Sequence, residues 1–302
     1  MSFLVSNQRD LSKQLQYVFE DSRTTPDNWG VIPTSPVFIQ AGYNPRFVYR
    51  DQPTGVEVRK LGSEDKDSTV LVGAQGLLEL RTNIVDVNLV KWIFNSAGGG
   101  ANTIDDSVSF LFSHKILGIE NFKRMRGCLP LSGTLTIPPK GLLELSAQIL
   151  VTQPDKQDTD DGVTTPTFAP ALTGPVWTHL SGGSVPFLFN AQAYRTRGMT
   201  ISVTRELSMI DSDGDSNIQF LRAAKRIING TVNVFEVNKL LEDAAVDQDE
   251  NTMSRVIKTS TGASTASFTE TTFDDHGIEY DQDSSDSRIE VLPFKAATIS
   301  FS

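Results

Sequence analysis

One cysteine and three histidines in 302 residues leave little room for several kinds of chemistry. Cys128 stands alone, which excludes an internal disulfide and any cysteine-built metal cluster. Placed in Gly127-Cys128-Leu129 ahead of a strand, it reads as a small buried hydrophobe. His114, His179 and His276 are far apart and form no HxH or HExxH pattern, so three surface or internally satisfied imidazoles outweigh a metal site. GxSxG, GxGxxG and Walker patterns are absent. Gly98-Gly99-Gly100 follows a helical stretch instead of opening one, the wrong end for a phosphate. No apolar run approaches a membrane span. The opening MSFLVSNQRDLSKQL lacks the apolar core of a signal peptide, so synthesis in the cytoplasm is expected. Basic residues are also scarce: 27 Lys and Arg face 37 Asp and Glu, a formal charge of -10. Such a chain is not built to clamp nucleic acid by neutralising phosphates, though it can lie beside DNA without gripping it.

What the chain has is strand periodicity with one clear interruption. In Gly76 to Phe94, Leu78, Leu80, Thr82 and Ile84 alternate with Leu77, Glu79, Arg81 and Asn83, the period of a half-buried strand. At Asp86 the period changes: Val87, Val90 and Phe94, with Leu89 and Ile93, recur at helical spacing. Asp86 is a candidate cap for that helix. A strand leading straight into a short helix is expected to pack the helix on its own sheet, with Leu78, Leu80 and Ile84 facing Val90, Ile93 and Phe94. Glu79, Arg81 and Asn83 then face away from the helix.

Most of the rest reads as strands. Leu15 to Phe19 alternates, and turn chemistry follows around Trp29, which anchors either the loop on the core or a neighbouring subunit; the core is preferred. Arg46 to Arg50 and Val56 to Leu61 suggest a hairpin around Asp51-Gln52-Pro53-Thr54-Gly55 that carries Arg46, Arg50, Arg59 and Lys60. Val108 to Phe112, Leu131 to Ile137 and Leu142 to Val151 continue the pattern. Residues 153–170, rich in Asp, Thr and Pro, read as an acidic linker or long loop between a first half, 1–152, and a second, 171–302. The second half opens a strand at Met199, a short helical segment at Ile218 to Lys225, and Gly230-Thr231 near a strand start, echoing Gly133-Thr134. It ends in Ile289 to Phe301, read as two strands broken by Pro293. The second half is thus either a duplicated unit or part of one composite domain.

Candidate chemistry is thin. Asp211, Asp213 and Asp215 have calcium-loop spacing, but the glycine is displaced and Arg222 stands where the bidentate Glu belongs, so a solvated turn is favoured. Nothing supports catalysis, and no cofactor is expected. Arg46, Arg50, Arg59 and Lys60 either meet acidic loops of a neighbour or are simply solvated.

Phe19-Glu20-Asp21, the loop Trp29-Gly30-Val31-Ile32-Pro33-Thr34-Ser35-Pro36, Arg59-Lys60-Leu61-Gly62, the strand and helix through Asp86-Val87-Asn88-Leu89-Val90-Lys91-Trp92, then Gly118-Ile119-Glu120, Gly127-Cys128-Leu129 and Leu292-Pro293-Phe294-Lys295-Ala296 follow one another in an order that resembles the major tail tube proteins of long-tailed viruses of bacteria or archaea. The resemblance implies a mainly β fold of packed antiparallel sheets, sandwich or barrel, with one or two short flanking helices. It implies copies closing into rings that stack into a hollow virion tail tube, assembled in the host cytoplasm around a tape-measure protein and joined to tail-tip or baseplate and tail-terminator proteins. Genome DNA then passes through without specific binding, an acidic lumen would repel its phosphates, and Glu79, Arg81 and Asn83 would face the lumen or a neighbour. Six single-unit copies make such a ring, or three if the halves are a duplication. Another viral or secretion-system tube or a capsid-decoration protein is one rival, separated by ring stacking. A carbohydrate-binding β-sandwich is another, and it predicts an aromatic platform or a carboxylate pair.

Overall fold

The computed structural model describes residues 15–20, 29–58, 68–84, 86–94, 107–116, 119–155, 167–168, 178, 187–210, 220–235, 243, 251–259, 262–273, 277–279 and 289–301. The first half contributes β1 (Leu15–Phe19), β2 (Val37–Gln40), β3 (Tyr43–Val58), β4 (Ser68–Asn83), α1 (Val87–Phe94), β5 (Val108–Ile116), β6 (Ile119–Ile137) and β7 (Glu144–Pro154). After β8 (Thr167–Phe168), the second contributes β9 (Phe187–Phe189), β10 (Gln192–Tyr194), β11 (Thr196–Ile210), β12 (Phe220–Phe235), β13 (Asn251–Thr259), β14 (Gly262–Phe273), β15 (Gly277–Glu279) and β16 (Ile289–Phe301). The fold is mainly β. Its strand pairs are antiparallel apart from β2 with β8. Besides α1, Asp243 is the helical residue among those described.

A run of strands hydrogen-bonds edge to edge in the order β3, β4, β7, β6, β11, β12, β16, β14. The long β6 belongs to two neighbourhoods. Its first part pairs with β5, which pairs with β1. Its last part pairs with β7 on one side and β11 on the other. The network folds back on itself: Phe47 on β3 and Phe112 on β5 are not strand neighbours, yet their rings lie 4.7 Å apart, edge to face. Apolar side chains from both layers fill the space between, including Leu78, Leu80, Ile84, Val90, Ile93 and Phe94.

The helix starts where Asp86 accepts a hydrogen bond from the Asn88 backbone N–H at 2.9 Å, the N-cap arrangement. Asp86 also accepts a hydrogen bond from the Tyr17 hydroxyl, tying the cap to β1. The helix does not settle chiefly on β4, the strand that leads into it. Its closest strand partners are β6 and β16. Gly133 on β6 makes room for it, since a Cβ there would stand 2.2 Å from Ile93 Cγ2. The reason lies at the far end of the helix. Arg205 on β11 donates to the carbonyls of Trp92 (2.9 Å) and Ile93 (2.6 Å), and Arg226 on β12 donates to that of Phe94 (3.1 Å). Cations at a helix C-terminus satisfy its orphan carbonyls and oppose its dipole. Burial, and then the neighbouring Arg226, lower the Arg205 pKa to about 9, which leaves it charged at neutral pH. A helix from the first half is thereby held by two arginines of the second.

Three expected element boundaries differ from those observed. β3 runs without a break through Asp51 to Gly55, so that segment is strand, not turn. An edge strand tolerates Pro53, and the pairing slips by one residue between Thr54 and Gly55. Residues 220–225 belong to β12 instead of a helix, because their partners on β11 continue the ladder to Ile210. Pro293 does not break β16; it stands between the residues paired to β15 (up to Val291) and those paired to β14 (from Phe294).

The register of the first half recurs in the second. In β3–β4, Thr54 pairs with Gly73 and Gly55 with Leu71; in β11–β12, Glu206 pairs with Lys225 and Leu207 with Ala223. Each residue stands 152 positions after its counterpart (54 to 206, 55 to 207, 71 to 223, 73 to 225), and both ladders skip one residue at the same place. In β5–β6, Val108 pairs with Cys128 and Phe110 with Met125; in β13–β14, Asn251 pairs with Thr271 and Met253 with Phe268. Here the spacing is 143 (108 to 251, 110 to 253, 125 to 268, 128 to 271), again with a shared irregularity.

Candidate assembly surface

Strand alternation gives the run from β3 to β16 two faces. Leu78, Leu80, Leu145, Leu135, Ile201, Val203, Val232 and Leu292 point into the core. The opposite face presents Arg46, Val48 and Arg50 on β3, Glu79, Arg81 and Asn83 on β4, and Ser146 and Gln148 on β7. It continues through Ser132 and Thr134 on β6, Thr200 and Ser202 on β11, and Asn229 and Thr231 on β12. Thr134 and Ser202 share a hydrogen bond of 3.2 Å where β6 meets β11. The face is lightly hollowed between β3 and β6, where Arg46, Val48, Glu79, Arg81, Thr134 and Gln148 help line an open groove of about 520 Å³.

Five of the expected lumen or neighbour-facing residues, Arg46, Arg50, Glu79, Arg81 and Asn83, therefore share one face. Arg50 pairs with Glu79 at 2.5 Å and Arg81 with Glu144 at 2.6 Å, both diagonally across neighbouring strands. The Asn83 amide donates to the Leu143 carbonyl at 3.3 Å. Lys295 and Glu206 also lie here, so both signs are present. Arg59, Lys60, Asp211, Asp213 and Asp215 lie outside the described residues, as do His179 and His276. Among the described residues no group of His, Cys, Asp and Glu is arranged to hold a metal ion, and no helix is long and apolar enough to cross a membrane.

A second constellation is buried. Glu20, at the end of β1, is 1% exposed. Its carboxylate accepts the hydroxyls of Ser107 and Ser109 and the backbone N–H groups of Gly30 (2.7 Å) and Gly127 (2.9 Å). Burial raises its pKa and the four hydrogen bonds pull it back part of the way. Beside it the Trp29 indole donates to Thr152 Oγ1 at 3.0 Å, and that hydroxyl donates to the Gly127 carbonyl at 3.0 Å. Gly127 has φ +58°, and a Cβ there would stand 2.2 Å from Thr152 Oγ1 and 2.6 Å from Trp29 Nε1. Arg126 closes the cluster, donating to the Gly30 carbonyl and pairing with Asp155. Phe19-Glu20, Trp29-Gly30 and Gly127-Cys128, far apart in sequence, are thus parts of one polar knot. The four donors to Glu20 are buried with it, so the knot pins the Trp29 loop across β6. Trp29 and Cys128 are both buried. The knot's long-range partners, Arg205 and Arg226 at the helix end, and the repeated register gave no local sequence signal.

A continuous antiparallel wall with one polar face, an apolar core and a long edge strand paired on one side among the described residues defines a mainly β protein. The family described as phage tail tube protein matches the chain over residues 9–302, and the chain belongs to that family. It is a structural component of the virion tail. No match was found among curated proteins.

Proposed function

We propose that copies of this chain close into rings, that the rings stack into a hollow tail tube, and that genome DNA passes along the tube. We also propose that each chain carries two tube units in tandem, one on either side of residues 153–170, so that three chains complete a ring of six units. The observation that carries this reading is the repeated register, at spacings of 152 and 143 residues, in a single edge-to-edge run of strands. Closing such a run into a barrel removes its edges, which otherwise invite open-ended pairing.

The polar face from Arg46 to Thr231 is the proposed lumen wall. Its hydroxyls, amides and diagonal ion pairs offer DNA phosphates no concentrated positive field, and so little reason to stick. Glu79 and Arg81 act here as a matched wall surface and not as a phosphate site. During assembly the same wall faces a tape-measure protein, and the ends of the tube meet tail-tip or baseplate and tail-terminator proteins. The carbohydrate-binding alternative loses two of its three tryptophans, since Trp29 and Trp92 are buried. Electron microscopy of the purified protein tests the proposal. End-on views should show rings with three-fold symmetry and six-fold pseudosymmetry; a protein that stays monomeric at high concentration sinks it.

A further inference from the structure

Among the described residues four strands, β3, β8, β10 and β15, have a single partner, and the fold contains a ready pattern for joining β3 and β15. β3 pairs only with β4, and β15 pairs only with β16. β3 is 16 residues long, and Val48 on it is 48% exposed. A long edge of this kind is a template for another strand.

The pattern is the junction between the halves. There β6 pairs with β11: Thr136 with Thr200, Leu135 with Ile201, Thr134 with Ser202. β11 corresponds to β3 at the spacing of 152. β6 corresponds to β14 followed by β15 at the spacing of 143, and the second part of this match has its own support. Thr134 pairs with Ser146 on β7, whose Ala147 neighbour pairs with Leu80 on β4. Gly277 on β15 pairs with Val291 on β16, whose Leu292 neighbour pairs with Val232 on β12. β15 therefore holds the place beside β16 that the end of β6 holds beside β7. In the first half that place has β11 on its far side; in the second it has no strand there among the described residues.

We infer that the open edge of β15 in one copy takes β3 of the next copy, antiparallel, in the register of the β6–β11 junction: Val48 opposite Glu279, Tyr49 opposite Ile278 and Arg50 opposite Gly277. The occupant of each edge is a second copy of this chain. Pro53 lies just beyond the paired stretch, where its missing N–H costs no rung. This register rests on the ring reading proposed above, but it can fail separately.

The test is oxidative cross-linking of the full-length protein under tube-forming conditions. Residues directly opposite in an antiparallel pair have Cα atoms about 4.5–5.5 Å apart, within reach of a disulfide, whereas diagonal partners about 7–8 Å apart are not. The double variant V48C/E279C should give chain-to-chain covalent product at least tenfold above V48C/G277C, which is out of register by two residues. Buried Cys128 gives a constant background. Hydrogen exchange on the unmodified protein gives a second reading that needs no variant. Peptides covering 46–52 and 277–279 should gain protection when monomers assemble, and those covering β11 should not. Rings without the V48C/E279C link and without that added protection overturn the register and leave the tube reading intact. Absence of rings from the wild-type protein overturns the tube reading first.

Discussion

At the residue scale the buried Glu20 carboxylate decides most. Four donors converge on it, two per oxygen: Gly30 N–H and Ser107 on one, Gly127 N–H and Ser109 on the other. Replacing it with Gln turns an NH₂ group towards two of those donors, so Glu20→Gln should lose about 2–3 kcal/mol in denaturant unfolding. The pH dependence has a defined sign. Because burial raises the folded-state pKa, the contribution of Glu20 is fully present below the unfolded value near 4.5 and declines as pH rises through the folded value. The wild-type protein should therefore show a fall in stability with rising pH in that window that Glu20→Gln lacks; parallel pH profiles would contradict it. Glu79 is the contrast. Its ion pair with Arg50 is solvent-exposed on both sides, and exposed pairs contribute about 0–1 kcal/mol. Glu79→Lys should leave the unfolding midpoint nearly unchanged while reducing tube yield measured by sedimentation. Loss of the folded monomer would show that β4 faces the other way. The facing of Glu79, Arg81 and Asn83 was legible in sequence because alternation is local. The role of Glu20 was not, because its partners lie 10 to 107 residues away.

At the element scale α1 is the instructive case. Its start, its apolar stripe and its burial follow from Asp86 and the spacing of Val90, Ile93 and Phe94. Its seat does not, because that is chosen by Gly133, Arg205 and Arg226, which no helical period announces. Arg205→Met should cost about 2–3 kcal/mol by leaving the Trp92 and Ile93 carbonyls without their charged donor. Arg205→Lys should recover part of that, since one ammonium reaches a carbonyl but lacks the guanidinium fork. Equal stability of the two variants would refute the capping role. Gly133→Ala should cost about 1–3 kcal/mol, because the new methyl meets the stiff β-branched Ile93. Two prolines in strands and one helix-like stretch explain the misplaced boundaries. Pro53 and Pro293 look like breaks, but an edge position and a change of partner accommodate them. Residues 220–225 carry helix-compatible side chains that the β11 ladder overrides.

At the scale of the whole molecule, mainly β character was legible from alternation alone, and the family resemblance from motifs spread along the chain. The recurring register was not, because the echo between Gly133-Thr134 and Gly230-Thr231 links other strands. The register aligns β12 with β4, not with β6. At the matched positions the residues differ while the register recurs, so only the pairing exposes the recurrence. The arginine grip on α1 belongs to this scale too. At the positions 152 residues before Arg205 and Arg226 the chain has Pro53 and Ala74, neither of which can reach a carbonyl with a charged donor. A ring of such chains would have two kinds of seam alternating around its wall, one stapled within each chain and one held by strand pairing between chains. Mechanical load on a bending tail would then concentrate at every second seam, and a torn tube would part along the boundaries between whole chains.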